Sequence, residues 1–126
     1  MGDRQERVRQ AFAALEDGNL GPFEQLLAPD AQWIAIPQGE LAETPACASR
    51  SAIIQRLERV HSRGRRFELG KMIESHDRIA VEVNLHSPEW SAPVTMYRVF
   101  AFGSDDSVVR LNDCIDESYA LQVLVA

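Results

Sequence analysis

The sequence predicts an α+β fold in which a curved, mostly antiparallel sheet wraps around N-terminal helices as a cone-shaped barrel with an internal apolar pocket. Two observations predict this fold. Apolar residues recur at helical spacing in most of the first half of the chain, and period-two alternation dominates the second half. Helices followed by a meander of strands are typical of α+β proteins. The 126 residues fit one domain, residues 1–126, with a single core.

Two predicted helices precede a short strand. Apolar side chains lie three to four positions apart over residues 3–16, which predicts a helix with one apolar stripe. Pro22 suits the first turn of a second, shorter helix that reaches Leu27, and Pro29 then ends it. Residues 31–36 alternate as a strand, and a loop follows.

A third helix leads into the sheet. Ser49 or Ser51 caps its start, and Gly64 marks its end. The strand predicted next, residues 67–74, alternates less cleanly. After a turn, residues 79–86 form the clearest strand of the chain, because Ile, Val, Val and Leu alternate there with small or polar residues. This alternation predicts a sheet with one buried and one polar face.

The hairpin near the end of the chain organises the rest. Residues 94–102 and 108–116 are predicted as two strands joined by a five-residue turn, and a short closing segment follows. Because side chains alternate along a strand, Leu111, Asp113 and Ile115 share one face, which we expect to point inward. An inward carboxylate is costly unless it is paired or used. Asp113 is therefore the first candidate for a functional residue.

Composition and short motifs exclude several classes of protein. The net charge of −6 argues against a nucleic-acid partner. No run approaches the roughly 18 apolar residues of a membrane span, and the charged N-terminus does not resemble a signal peptide. We therefore expect a cytoplasmic protein. Cys47 and Cys114 form no metal or disulfide pattern, so we expect free thiols, no metal site and no cofactor.

Several segments, taken in order, resemble the SnoaL-like family of the nuclear transport factor 2-like, or cystatin-like, fold. They are Asp-Gly-Asn at 17–19, Leu-Leu-Ala-Pro-Asp-Ala-Gln-Trp at 26–33, Ser-Arg-Ser-Ala-Ile at 49–53 and Val-Val-Arg-Leu-Asn-Asp-Cys-Ile-Asp at 108–116. Their order and spacing extend the resemblance over nearly the whole chain. Relatives include polyketide cyclases, ketosteroid isomerases and limonene epoxide hydrolases, so the resemblance predicts the fold more closely than the reaction.

The resemblance also points to Asp113. SnoaL-type cyclases and epoxide hydrolases use an acid on the last strand, three residues before the Asp or Asn that ends it, and Asp113 stands three before Asp116. The chain departs from these relatives elsewhere. Ala35 stands where ketosteroid isomerases place their general base, so steroid-type isomerisation is not expected. Val83 and Leu85 replace the Arg-x-Asp pair of the epoxide hydrolases, so their three-residue activation of water is not expected either.

Arg98 lies on the strand next to Asp113, with the same parity, approximately where the isomerases have a second, proton-donating acid. Two interpretations stay open. In a catalytic pair, Asp113 would exchange a proton with a bound carbonyl, enol or epoxide oxygen, because apolar surroundings favour the neutral carboxyl group. Arg98 would stabilise negative charge on that oxygen. In a structural ion pair, Arg98 would hold Asp113 ionised, and neither residue would act on a substrate.

An apolar pocket between sheet and helices would contact a substrate through side chains from several elements. The candidates for these contacts are Phe12, Trp33, Val83, Leu85, Met96, Leu111 and Ile115. Core packing explains Trp33 and Met96 equally well. The expected ligand is a small, mostly apolar, oxygenated molecule.

The sequence supports two functions. The first is a cofactor-free acid/base enzyme, an isomerase, cyclase or hydrolase, with Asp113 and Arg98 as catalytic residues. The second is a non-catalytic ligand-binding or dimerisation module, which a filled interior with Arg98 and Asp113 locked together would favour. Because relatives of this fold often pair through the outer face of the sheet, a homodimer is expected. The side chains available there are Glu82, Asn84, His86, Tyr97 and Asn112.

Overall fold

The structure, a computed structural model, describes residues 3–35 and 46–125 of the chain. In chain order the elements are α1 (Asp3–Glu16), α2 (Gly21–Leu26), β1 (Leu27–Ile34), α3 (Arg50–Ser62), β2 (Arg66–Ser75), β3 (Arg78–His86), β4 (Val94–Phe102), β5 (Val108–Cys114) and α4 (Glu117–Val125). The predicted end of the first strand and most of the loop after it lie outside the described residues. None of the described helices has the length and apolar character needed to span a membrane.

The five strands form one curved sheet with the spatial order β1-β5-β4-β3-β2. Neighbouring strands from β2 to β5 pair antiparallel, which confirms the predicted α+β architecture. At one edge, β1 runs parallel to β5, and Trp33 is paired with Leu111. Segments from both ends of the chain therefore meet at the same place in the sheet.

Local sequence signals set the two ends of α3. The Ser49 hydroxyl accepts a hydrogen bond from the backbone N–H of Ala52 over 3.1 Å, which satisfies a donor in the first helical turn. Of the two predicted capping serines, Ser49 is therefore the one used. After the helix, Gly64 has a φ of +77°, in the left-handed region that glycine adopts without strain.

The first strand begins earlier than predicted. Leu27, expected at the end of the second helix, is extended and paired with Val108. Helix α2 ends at Leu26 because Pro29 could not continue it without clashing with the preceding turn. The same proline is tolerated in β1 since this strand lies at the edge of the sheet.

The main core lies between the first three helices and the inner face of the sheet. Ile79, Val81 and Val83 of β3 are fully buried there, as the alternation predicted. They pack in one cluster with Phe12 of α1 and Leu57 of α3. Full burial of each aliphatic side chain contributes about 1.5–3 kcal/mol. This packing fixes the positions of the inward-facing side chains of β4 and β5.

Helix α4 covers part of the outer sheet face, which the sequence predicted to be an open polar surface. Its Ala120 and Leu124 pack against Tyr97, Val99 and Cys114. Tyr97 is consequently only 7% exposed. The expectation that Tyr97 would be available for dimer contacts is therefore wrong, because nine residues after β5 form a helix that docks on it.

Candidate functional site

Strand pairing places Asp113 and Arg98 side by side on the inner face of the sheet. The two residues are direct partners in the antiparallel register of β4 and β5. Arg98 is 3% exposed and Asp113 is 7% exposed. Arg98 Nε donates a hydrogen bond to Asp113 Oδ1 over 2.7 Å. The two predicted catalytic residues thus form one buried ion pair.

Trp33 completes the surroundings of the carboxylate. Its indole Nε1–H donates a hydrogen bond to Asp113 Oδ2 over 2.9 Å. Both oxygens of Asp113 therefore accept a hydrogen bond from a described residue, and the bond from Arg98 is charge-assisted. This geometry fits the structural ion pair, one of the two interpretations that the sequence leaves open. Each carboxylate oxygen still has a second lone pair, so the geometry does not remove its capacity to accept a proton.

Arg98 has a donor that Asp113 does not use. Its Nη1 is buried and has no hydrogen-bond partner among the described residues. Its guanidinium carbon lies 4.6 Å from the ring centroid of Trp33 and 5.7 Å from that of Phe67, so aromatic rings flank the cation. A buried donor without a partner costs about 1–3 kcal/mol. An acceptor oxygen bound at Nη1 would remove that cost.

Most side chains that the sequence placed around a pocket lie in the core next to this ion pair. The buried members are Phe12, Trp33, Val83, Met96 and Leu111, and Leu85 packs half-buried against them. Ile115 is the exception and is 65% exposed. Strand β5 ends at Cys114. The prediction for Ile115 is wrong because alternation between faces holds only within a strand.

Two surface clefts lie near this core. The first has a volume of about 520 Å³ and lies between α1 and β2, where Phe12, Phe67 and Leu69 line its apolar part. The second, of about 620 Å³, lies on the outer face of the sheet beside α4. Neither cleft is lined by Arg98 or Asp113, so neither opens directly on the ion pair.

Cysteine thiols and clusters of metal-ligating side chains are two further features that could carry chemistry. Both cysteines are free and buried. Burial raises the pKa of the Cys114 thiol to about 12, and the charges of Asp113 and Asp116 add to the effect. This thiol therefore stays protonated at neutral pH. Among residues 3–35 and 46–125, no three His, Cys, Asp or Glu side chains are grouped so that they could hold a metal ion.

Sequence reasoning missed two contacts of this site. Phe67 flanks Arg98, and the guanidinium carbon of Arg56 on α3 lies 4.5 Å from the ring centroid of Trp33. A signal for Phe67 was present, since it stands between the charged residues Arg66 and Glu68, as an inward strand residue does. No local pattern indicated that α3 would place a guanidinium against Trp33.

Comparison with known proteins supports the fold first inferred from the residues. The sequence matches the profile of the SnoaL-like domain over residues 8–111, which confirms the resemblance. A comparison with curated proteins gives no match. A nuclear transport factor 2-like protein of unknown function from Burkholderia pseudomallei has 22% identity and a TM-score of 0.72, and the alignment covers 100% of both chains.

Two further solved structures share the fold. TerC, co-crystallised with polyporic acid, has 18% identity and a TM-score of 0.69, and 98% of each chain is covered. A steroid delta-isomerase from Pseudomonas aeruginosa has 17% identity and a TM-score of 0.66, with 99% of this chain and 88% of the isomerase covered. At these identities the likeness concerns the fold alone.

Proposed function

Because the chain belongs to the SnoaL-like domain family, we propose that it binds a small, mostly apolar molecule through an acceptor oxygen, with Arg98 as the donor. The observation that supports this is the buried Nη1 of Arg98, which has no partner in the described part of the chain. Asp113 and the ring of Trp33 fix the guanidinium before a ligand arrives, which lowers the entropy lost on binding. TerC, which shares the fold, was co-crystallised with polyporic acid.

The charge balance of the site favours a neutral oxygen. Arg98 and Asp113 compensate each other at 2.7 Å. A ligand carboxylate would bring an additional negative charge into a buried site, and such a charge is costly without its own partner. A carbonyl oxygen accepts a hydrogen bond from Nη1 without this cost. We therefore propose a neutral carbonyl compound as the ligand class.

A matched pair of probes tests this proposal. 2-Acetylnaphthalene carries a carbonyl group, and 2-isopropenylnaphthalene has nearly the same shape with a CH₂ group in place of the oxygen. We expect the ketone to shift the Trp33 indole N–H signal in an NMR titration and to bind about tenfold more tightly, a difference of about 1.4 kcal/mol for one hydrogen bond. The indole of Trp90 is the internal control. Equal affinities, or an unchanged Trp33 signal at millimolar ketone, would contradict the proposal.

A variant without the two charges is the matched control. Arg98→Met combined with Asp113→Leu and Trp33→Phe removes both partners of the ion pair and also the indole donor that would lose its acceptor, so it leaves no buried charge and no unpaired indole N–H behind. Replacing a buried ion pair by apolar residues is often neutral for stability, so we expect this variant to fold. It should bind the ketone and the hydrocarbon with equal affinity. A retained preference for the ketone would show that another group donates to the carbonyl oxygen.

Catalysis at the same site is a second and finer proposal. The observation that favours it is a carboxylate 2.7 Å from a guanidinium in a buried site. Asp113 would take a proton from the carbon next to a carbonyl group while Arg98 stabilises the enolate oxygen. In heavy water the protonated Asp113 carboxyl group would exchange this proton with solvent, and a deuteron would then be returned to the carbon. We expect the protein to exchange the methyl protons of 2-acetylnaphthalene for deuterium and Asp113→Asn to stop this exchange. If Asp113→Asn exchanges the methyl protons as fast as the wild type, the catalytic proposal is contradicted and only the proposed binding is kept.

The predicted homodimer is also a proposal, over a smaller surface than the sequence indicated. Tyr97 lies under α4, but Glu82, Asn84, His86 and Asn112 are partly exposed on the outer face. A non-catalytic dimerisation module would use this surface. Sedimentation velocity should show a dimer that Asn84→Lys weakens through repulsion between like charges across the interface. A wild-type monomer at micromolar concentration would contradict the proposal.

A further inference from the structure

We infer that the cleft between α1 and β2 is the entrance to the ligand site and that Phe67 is the gate between this entrance and Arg98. The inference rests on the proposed binding of a carbonyl compound at Arg98. It adds a route of entry and names the residue that controls it.

The cleft suits the apolar body of a small ligand. Its volume of about 520 Å³ lies within the range usual for small-molecule sites. Phe12 and Phe67 line it although they are only 2% and 7% exposed, so their rings form its floor. The two ring centroids lie 5.7 Å apart in an edge-to-face contact. An aromatic or aliphatic group in the cleft would meet these two rings.

The charged side chains that line the cleft balance one another, because Arg9 and Arg66 are matched by Glu16 and Glu68. Arg66 lies 3.9 Å from Glu16, and Arg9 lies 3.7 Å from Glu6 outside the cleft. Pairs at such exposed positions contribute little energy, and together they leave no strong attraction for an anion. The entrance is therefore matched to the neutral ligand that the charge balance at Arg98 favours.

Phe67 separates the cleft from the buried donor. Its ring lines the cleft, and the same ring has its centroid 5.7 Å from the guanidinium carbon of Arg98. The Phe67 ring therefore borders both the cleft and the guanidinium group that carries Nη1. When this ring turns aside, a ligand in the cleft reaches Arg98, and its apolar part replaces the contact of Phe67 with Phe12.

The place of Phe67 in the sheet permits this movement. It lies near the start of β2, which is an edge strand of the described sheet and pairs with β3. Edge segments open at a lower free-energy cost than central strands. Phe100 provides a contrast, because it also contacts Phe12, with centroids 6.1 Å apart, but lies in the central strand β4 and is fully buried. Of these two neighbours of Phe12, Phe67 is the one that borders the cleft.

Hydrogen exchange of the Trp33 indole tests the gate without a ligand. This N–H is buried in its bond to Asp113, so it exchanges only when the interior opens. Phe67→Leu shortens the gate and should speed the exchange about tenfold. Leu69→Ala, which changes another side chain of the same cleft, should leave it nearly unchanged. The hydrogen-exchange rate of the Val81 backbone amide, in the core strand β3, measures global unfolding in each variant, and the indole exchange rate is compared with it.

The association rate of 2-acetylnaphthalene gives the second readout. It should rise in Phe67→Leu and fall in Phe67→Trp, in which a larger ring fills the passage. Equal association rates and equal indole exchange in these variants and the wild type would overturn the gate. If the ketone preference still depends on Arg98 in that case, the proposed function stands alone. If both naphthalene probes associate faster with Phe67→Leu but bind with equal affinities, the entrance is supported and the role of Arg98 as the donor is overturned.

Discussion

At the level of single residues, the ion pair of Arg98 and Asp113 sets the chemistry of the interior. Taking two charges out of water costs several kcal/mol each, and their attraction offsets this cost only when the geometry is close. Arg98 Nε and Asp113 Oδ1 are 2.7 Å apart, and Trp33 bonds the second oxygen at 2.9 Å. The pair can therefore stay buried, but neither partner can be removed without leaving an uncompensated charge.

Single and double substitutions should consequently have very different costs. Arg98→Met should lower the free energy of unfolding by about 3–5 kcal/mol, because it leaves the Asp113 carboxylate buried without its cation. Asp113→Leu should lower it by a similar amount, because it leaves the Arg98 guanidinium buried without its anion. The double variant should cost less than either single change. Urea denaturation of the three variants at neutral pH measures this, and losses that simply add would show that the two residues are not coupled.

At the level of elements, one acidic side chain fastens α4 to the outer face of the sheet. Glu117 forms an ion pair with Lys71 of β2 and accepts a hydrogen bond from the Tyr97 hydroxyl over 3.0 Å. The hydrogen bond with Lys71 lowers the pKa of Glu117, and burial raises the pKa of Tyr97. Cys114 lies under the helix, so its thiol reports whether α4 is docked.

Docking of α4 should weaken in acid. Because the docked helix lowers the pKa of Glu117 below the ordinary value of 4.5, the stabilisation is complete above that value and is lost as the pH falls through the lowered pKa. The test measures how fast the Cys114 thiol reacts with 4,4′-dithiodipyridine in a Cys47→Ala background. At each pH the rate is divided by the rate of the unfolded chain, and this ratio should be higher at about pH 3.5 than at about pH 6. Glu117→Gln should remove most of this difference. Identical pH dependence in the wild type and Glu117→Gln would contradict the role of Glu117.

Elements set by local signals were predicted well. Residues 79–86 were predicted as a strand, and β3 spans Arg78–His86. The prediction was close because the alternation of apolar and polar residues can be seen in consecutive positions of the sequence. The same alternation placed Arg98 and Asp113 on one inner face, which the register confirms. The parallel pairing of β1 with β5 and the docking of α4 were not predicted, since they depend on which distant segments meet.

The finer contacts of the site show the same limit. Trp33 was predicted to face inward, but its hydrogen bond to Asp113 joins residues 80 positions apart in the chain. The contact of Phe67 with Arg98 crosses the interior between β2 and β4, which are not neighbours in the sheet. A period of two predicts the face on which a side chain lies, but not the partner that it meets there. Partners across the interior are set by sheet curvature and helix packing.

At the level of the whole molecule, contacts between the two ends of the chain hold α1 against the final hairpin. Arg4 Nε lies 2.6 Å from Asp106 Oδ1, and Arg7 Nη1 lies 3.0 Å from Asp106 Oδ2. The two guanidinium carbons also lie 4.8 and 5.8 Å from the ring centroid of Phe102. Asp106 is 102 and 99 positions from these arginines in the sequence. One turn residue therefore connects the first helix to the last two strands.

Asp106→Asn isolates the charge of this connection. Asp106 has a φ of +67°, which Asn also tolerates, so the turn is kept, whereas Asp106→Ala would add backbone strain. The side chains of Arg4, Arg7 and Asp106 are partly exposed, so Asp106→Asn should lower the free energy of unfolding by about 0.5–1 kcal/mol at low salt. This loss should become smaller as added salt screens the charges. A double-mutant cycle with Arg7→Gln should show coupling, and strictly additive losses would contradict the connection.

Because the contact joins distant segments, it should form late in folding, so Asp106→Asn should speed unfolding and leave the refolding rate nearly unchanged.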